Sequence, residues 1–410
     1  MKKLKKLLYG IIALCCSASF SACDLGDVMG DLGLPSNGIF GENTDKDDSI
    51  DISKDSTSDK SEISDDSDTS SDSSDTSSDS SDTSSDSSGE NPDMPDIVTD
   101  ELSIHFLFLG NKTSGDCALI KVGDTEVLID AGSKKGSAAT IVEYVDEYCE
   151  DGILEYVIAT HAHEDHIAGF VGTSTAEGVF ESYECETIID YPLSNVTTAI
   201  RADYEELRDA EVEAGAKHYT ALECWNETNG AKRSYELGQD VTLNILYQKY
   251  YEQSTSTENN YSVCVMITQD ENNYLFTGDL EESGEKSLVE SNDLPKCTLY
   301  KAGHHGSNTA SSKALIDVIQ PELVVACCCC GDKHNFPHQE FIENIAPYTD
   351  KLYIPVMVDD SVLAGYTLLN GNIVVWSDGK EVDVACSNND VLFKDTEWFK
   401  ANRETPTSWQ

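Results

Sequence analysis

His161-Ala162-His163-Glu164-Asp165-His166 decides the reading of this chain. These six residues follow, one residue on, the apolar run Leu154–Ala159, which is of strand length. In an extended loop, side chains two residues apart project to the same side, so His161 and His163 face one way. Asp165 and His166 turn off at the start of the next segment. One short peptide therefore offers two ligands to each of two metal ions. A core histidine needs only one hydrogen-bond partner, and three of them with an aspartate inside six residues have no such structural explanation.

Outward from this centre the pattern is that of paired sheets. Strand-like runs open the domain at Ser103–Leu109, Cys117–Val122 and Glu126–Ile129, the last two joined by the turn Val122-Gly123-Asp124. Further strands are expected at Val241–Tyr247, Ser262–Thr268, Tyr274–Thr277, Thr298–Lys301, Leu323–Ala326, Leu352–Pro355, Gly365–Leu369 and Ile373–Trp376. Helical spacing marks Ala138–Tyr148, Val196–Ala214, Ser312–Ile319 and Gln339–Ile345. This order fits two sheets with helices outside better than one parallel sheet.

Three further motifs stand near strand ends: Leu128-Ile129-Asp130-Ala131-Gly132, Thr277-Gly278-Asp279 and Gly303-His304-His305-Gly306-Ser307. With the histidine cluster they resemble the metallo-β-lactamase superfamily over Leu102 to about Trp376. The paired histidines resemble a narrower branch, the extracytoplasmic domain of ComEC-type competence proteins and the cell-wall phosphorylcholine esterases. Asn259-Asn260-Tyr261-Ser262 matches that branch's Asn-Asn-x-Ser, and Asn335-Phe336-Pro337-His338 roughly matches a downstream segment. The resemblance implies an α/β, four-layer αββα sandwich holding two divalent ions, zinc first among them. It implies a metal set of His161, His163, Asp165, His166, Asp279 and His305, with Asp279 bridging both ions. One of His304 and His305 completes the second ion's site, His305 preferred; the other, or His338, faces the substrate's phosphate oxygen or leaving group. Asp165, His304 and His338 thus form the candidate catalytic set.

The branch also implies a further histidine between the first cluster and Asp279, and the interval holds only His218, without a family motif. The first ion is left with His161, His163 and Asp279, with water or Asn260 to fill in. Asp130 is expected to support a ligand histidine. Lys301 reads as an exposed strand-end lysine or as a residue steering phosphate. The reaction implied is hydrolysis of a phosphodiester or phosphoester by a metal-bound hydroxide. The rival readings are an ester, lactone or amide hydrolase of the same fold, and a non-catalytic accessory module in DNA uptake or cell-wall binding.

Composition bounds the rest. Residues 1–23 read as a lipoprotein-type signal: Lys2, Lys3, Lys5 and Lys6, an apolar Leu7–Cys16, then Ser21-Ala22-Cys23, with a lipid expected on Cys23. Residues 24–100 are rich in Ser, Asp and Thr, with Asp-Thr-Ser-Ser-Asp-Ser-Ser three times in tandem from Asp68 to Ser88, and are expected to form a disordered stalk. The hydrolase domain is placed at 101–386, and 387–410 form a tail with no assigned structure. Together these place the domain outside the cytoplasm, anchored to the membrane. From Glu101 on, 20 Lys and Arg stand against 53 Asp and Glu, a formal −33. Such a surface disfavours tight nucleic-acid binding, so the expected partner is a phosphate-containing small molecule or cell-envelope substrate. Eleven cysteines after the signal, irregularly spaced, do not form a disulfide framework, and Cys327-Cys328-Cys329-Cys330 read as small core residues at a strand end.

Overall fold

The computed structural model describes residues 101–410. The signal, Cys23 and the tandem repeat lie outside the described residues.

Two large sheets face each other. The first runs, in spatial order, Val382–Cys386, Ile373–Ser377, Leu102–Phe106, Ala118–Val122, Thr125–Ile129, Ile153–Ile158, Glu184–Asp190 and Lys217–Thr220. The second runs Leu352–Tyr353, Leu323–Val325, Leu299–Lys301, Asn272–Phe276, Cys264–Gln269, Val241–Leu246 and Ser234–Gly238. Strand alternation explains the layers. Val265, Ile267, Tyr274, Phe276, Leu299, Leu323 and Val325 join the core between the sheets, and Phe276 stacks on Phe106 at 6.0 Å. Their neighbours Cys264, Met266, Leu275, Tyr300 and Val324 point the other way, onto Leu288, Leu315, Ile316, Phe341 and Ile342 of the helices Glu282–Ser291, Lys313–Ile319 and Gln339–Ile345. On the far side, Ile141, Tyr144, Ile167, Phe170 and Tyr204 of the helices Ala138–Asp146, Glu164–Val171 and Ala199–Ala214 cover the first sheet. The result is the expected four-layer αββα sandwich.

Several boundaries differ from expectation. The second helix starts at Ala199 because Thr198 caps it, its hydroxyl accepting from Arg201 N–H. The strand expected from Ser262 begins at Cys264, since Glu258–Tyr261 close into a short 3-10 turn instead. Helices Glu164–Val171 and Glu282–Ser291 and strands Glu184–Asp190, Lys217–Thr220, Ser234–Gly238 and Val382–Cys386 add to those expected. Residues 387–410 pack as well: Phe393, Phe399 and Trp409 are buried in the second core, and Trp409 Nε1–H donates to the Thr349 carbonyl at 2.9 Å. Cys327 to Cys330 are buried and free, with Cys329–Cys330 pairing beside Val356–Val358.

What matters for the site is where strands end. Thr125–Ile129 and Ile153–Ile158 are parallel, as are Asn272–Phe276, Leu299–Lys301 and Leu323–Val325. The loops after all five strands carry Asp130, the histidine cluster, Asp279, the His304-His305 pair and Cys327.

Candidate metal centre

Asp279 lies at the middle. Its Oδ2 is 3.2 Å from His166 Nε2, 3.5 Å from His305 Nε2, and 3.9 Å from both His161 Nε2 and His304 Nε2. Nitrogen and oxygen each bound about 2.0–2.2 Å from one tetrahedral zinc stand about 3.3–3.5 Å apart, and the observed separations bracket that value. His163 Nδ1 is 3.0 Å from His161 Nε2, and Asp165 Oδ2 is 3.3 Å from His305 Nε2. His161, His166, Asp279 and His305 are buried; Asp165 and His304 reach the surface.

Local folding explains these positions. His163 opens the helix Glu164–Val171, so Asp165 and His166 leave the loop within its first turn and diverge from His161 and His163. Gly132 passes so close that a Cβ there would lie 1.7 Å from the Asp165 carbonyl oxygen, which accounts for the glycine in Asp-Ala-Gly. Gly278 has φ +53°, and a Cβ on it would meet Ser262 Oγ at 2.8 Å. That hydroxyl accepts from the Asp279 N–H at 3.0 Å. His304 and His305 both adopt left-handed backbone, φ 46° and 56°, a strained arrangement held where the strand Leu299–Lys301 ends.

The rings are held from behind. His166 Nδ1–H donates to Asp130 Oδ2 at 2.8 Å, while Asp130 also accepts from Thr160 N–H at 2.7 Å and Thr160 Oγ1–H at 2.8 Å. His305 Nδ1–H donates to the Cys327 carbonyl at 3.0 Å and lies 3.1 Å from Asp116 Oδ1. Both bonds fix the tautomer that leaves Nε2 free as a ligand. His161 Nδ1 meets only hydroxyls, Thr160 Oγ1 at 3.2 Å and Ser262 Oγ at 3.4 Å.

Asp116 and Lys301 belong to this site. Asp116, His166, Asp279 and His305 form a group whose ligand atoms all lie within 4.8 Å of one another. Within it Asp116 is already compensated, since Lys301 Nζ pairs with its Oδ2, so it is better placed to orient His305 than to hold an ion. Lys301 is neither exposed nor turned to the cleft: it is buried, paired with Asp116 and donating to the Gly278 carbonyl at 3.3 Å. A charged strand-end residue inside a core needs such a partner, and this one lies far away in sequence.

His304 lines the mouth, its Nδ1 2.9 Å from Thr309 Oγ1 and 3.4 Å from Asn259 Nδ2. His338 sits against the same loop, its backbone N–H donating to the Gly306 carbonyl at 2.9 Å. Its Nδ1 accepts from Asn308 N–H at 2.9 Å and its Nε2–H donates to the His334 carbonyl at 3.0 Å, so both nitrogens are engaged. The Phe336 ring packs 5.3 Å from His338 and 5.9 Å from each of His304 and His305. Asn260 Oδ1 accepts from Glu281 N–H at 3.2 Å, and His218 Nε2 lies 2.9 Å from Asp190 Oδ1. Neither has a contact with the histidine cluster among these bonds.

The electrostatics ask for a cation. Burial alone would depress His166 and His305, but the Asp279 carboxylate, with Asp130 and Asp116 beside His166 and Asp116 and Asp165 beside His305, outweighs it. His166 is held well above the usual imidazole range and His305 is raised to about 10. Burial and the neighbouring His166 push His161 well below it. His166 Nε2, His305 Nε2 and Asp279 Oδ1 are buried without a hydrogen-bond partner. Buried donors and acceptors of that kind normally find one, and divalent ions fit all three atoms.

A comparison with a family model supports the class. The model of the metallo-β-lactamase superfamily matches residues 110–178 and 253–329, which carry every candidate ligand. The domain has that superfamily's fold. The chain is similar to recombination protein 2 of Haemophilus influenzae, 24% identical over 259 residues, or 62% of this chain and 27% of the relative. It is also similar to ComE operon protein 3 of Bacillus subtilis, 23% identical over 192 residues, or 46% of this chain and 22% of the relative. The chain thus spans about a quarter of the length of the curated relatives it matches. Among solved structures, the metallo-β-lactamase fold protein YhfI from Bacillus subtilis aligns over 62% of this chain and 97% of its own, at 12% identity and a TM-score of 0.38. No helix of the described residues is long and apolar enough to cross a membrane.

Proposed function

We propose that this domain hydrolyses phosphodiester or phosphoester groups, with His161, His163, Asp165, His166, Asp279 and His305 holding two divalent ions. The observation that carries the reading is the convergence of imidazole nitrogens on Asp279 Oδ2, beside buried nitrogens and oxygens that lack partners. Imidazole and carboxylate donors in a largely buried set, open where Asp165 reaches the surface, suit zinc. Bound there, such ions supply hydroxide at neutral pH and neutralise charge developing on a phosphoryl oxygen.

The chain's own residues do the remaining work. Asp130 and the Cys327 carbonyl hold the protons of His166 and His305 on Nδ1. His304, whose side chain is 23% exposed and anchored by Thr309, is kept weakly basic by burial and stands at the mouth to hydrogen-bond the leaving oxygen as it departs. His338 is not needed for that step, because both its nitrogens are engaged elsewhere. The −33 charge from Glu101 on favours a small or cell-envelope phosphate ester over a long polyanion. An extracytoplasmic, Cys23-anchored location is part of the same proposal and rests on residues 1–23.

The test is a panel of chromogenic phosphodiesters, phosphomonoesters and carboxylic esters offered to the zinc-loaded protein and to Asp279→Ala. Turnover of phosphate esters that Asp279→Ala abolishes supports the reading. Turnover confined to carboxylic esters would transfer the domain to the rival class, and none at all would refute it.

A further inference from the structure

Glu258 is a buried carboxylate with two structural tasks. Its Oε1 accepts from the N–H of Ala162, the residue between His161 and His163, at 3.2 Å. Its Oε2 accepts from Asn195 N–H at 2.7 Å, and Asn195 Nδ2–H in turn donates to the Thr255 carbonyl at 3.0 Å. The same 3-10 turn carries Asn259, whose Nδ2 lies 3.4 Å from His304 Nδ1. One turn therefore touches the peptide carrying two imidazoles, the surface loop through Asn195, and the histidine at the mouth.

The contact matters because His161 and His163 are the least supported part of the centre. His166 has a carboxylate behind it and His305 a carbonyl, whereas His161 has only hydroxyls. The rotation of the Ala162 peptide sets the angle between His161 Nε2 and His163 Nδ1, which stand 3.0 Å apart. Resting on the metal reading above, we infer that Glu258 is a positioning residue for the first ion, fixing that peptide and tying it to the loop at Asn195. Removing the carboxylate frees the Ala162 N–H in a buried place and lets the two rings diverge. The second ion, on Asp165, His166, Asp279 and His305, takes its support elsewhere.

Zinc competition against a chelating dye on the full-length chain tests this without any substrate. Wild type binds two zinc ions. Glu258→Ala weakens the first ion by about 10–100-fold, the usual cost of an outer partner, and leaves the second within about threefold. Glu258→Gln gives a smaller loss in the same direction, because its amide can accept from only one of the two N–H groups. Should Glu258→Ala fail to fold, Glu258→Gln decides. Unchanged affinity for both ions in the folded variants, or equal loss of both, overturns the inference. A wild-type chain that binds no zinc removes the metal reading itself and this inference with it.

Discussion

Asp130→Asn isolates how the second ion's site is prepared. Asp130 Oδ1 accepts from the Thr160 N–H at 2.7 Å, and turning an amide NH2 to that buried donor would set two donors face to face. The asparagine carbonyl therefore stays there, and its NH2 takes the place of Oδ2, 2.8 Å from His166 Nδ1. Once neutral, as it must be to take an ion, His166 then accepts at Nδ1 and carries its proton on Nε2, the atom aimed at Asp279. Binding an ion requires moving that proton back to Nδ1 against the new NH2. Opposing a buried donor costs about 1–3 kcal/mol, or about 5- to 150-fold in affinity. Only the ion held by His166 should weaken, with the other unchanged within about threefold. Zinc competition on Asp130→Asn with intact circular dichroism reads this directly. Wild-type affinity for both ions in the folded variant would refute the tautomer argument.

Lys301→Met strips buried Asp116 of its nearest cation, leaving only the histidines beside it, which should cost about 3–5 kcal/mol in urea unfolding. Adding Asp116→Asn should recover most of that loss; failure to recover would mean the pair is not a closed unit. Phe399→Ala, in the tail, should cost about 3–5 kcal/mol because the ring is fully buried in the second core. A cost near zero would show the tail to be dispensable. In the metal-free protein, His305 titrates near 10, with Asp279 and Asp116 outweighing burial. Its pKa is raised above the unfolded value of about 6.5, so its stabilising charge is fully present below that pH and is lost as pH rises through 10. Ions that replace these protons bind more tightly as pH rises. The melting-temperature gap between zinc-loaded and chelated protein should therefore widen from pH 6 to pH 9, and a constant gap would contradict the site's charge balance.

Much of the fold was legible because strands with two buried faces announce themselves: Val265, Ile267 and Tyr274 alternate with Cys264, Met266 and Leu275 between two cores. The hidden elements have physical reasons. Glu282–Ser291 is weakly apolar with Gly284 in its first turn, and reads as a loop until Leu288 finds the second core. Glu184–Asp190 begins with alternating exposed glutamates, which mask its apolar end. At the site, the histidine cluster was visible because ligand chemistry concentrates unusual residues in few positions. Asp116 was not, and Lys301 reads in sequence as exposed or as steering phosphate, because each alone resembles an ordinary turn or surface residue and only their pairing allows burial. The Cys327 carbonyl has no side-chain signature at all, and the four cysteines drew attention for the wrong atoms. His338 resembled a site residue by its neighbours in sequence, yet its bonds to Asn308 and His334 hold it in the helix start.

In the proposed centre one carboxylate, Asp279, joins two ions. Crystals of the zinc-loaded protein measured on both sides of the zinc absorption edge test it most directly. Two anomalous peaks should stand about 3.5–4 Å apart, each about 2.0–2.2 Å from an Asp279 oxygen, one beside His161 and His163 and the other beside Asp165, His166 and His305. A single peak, or peaks that leave Asp279 without a metal, would contradict it.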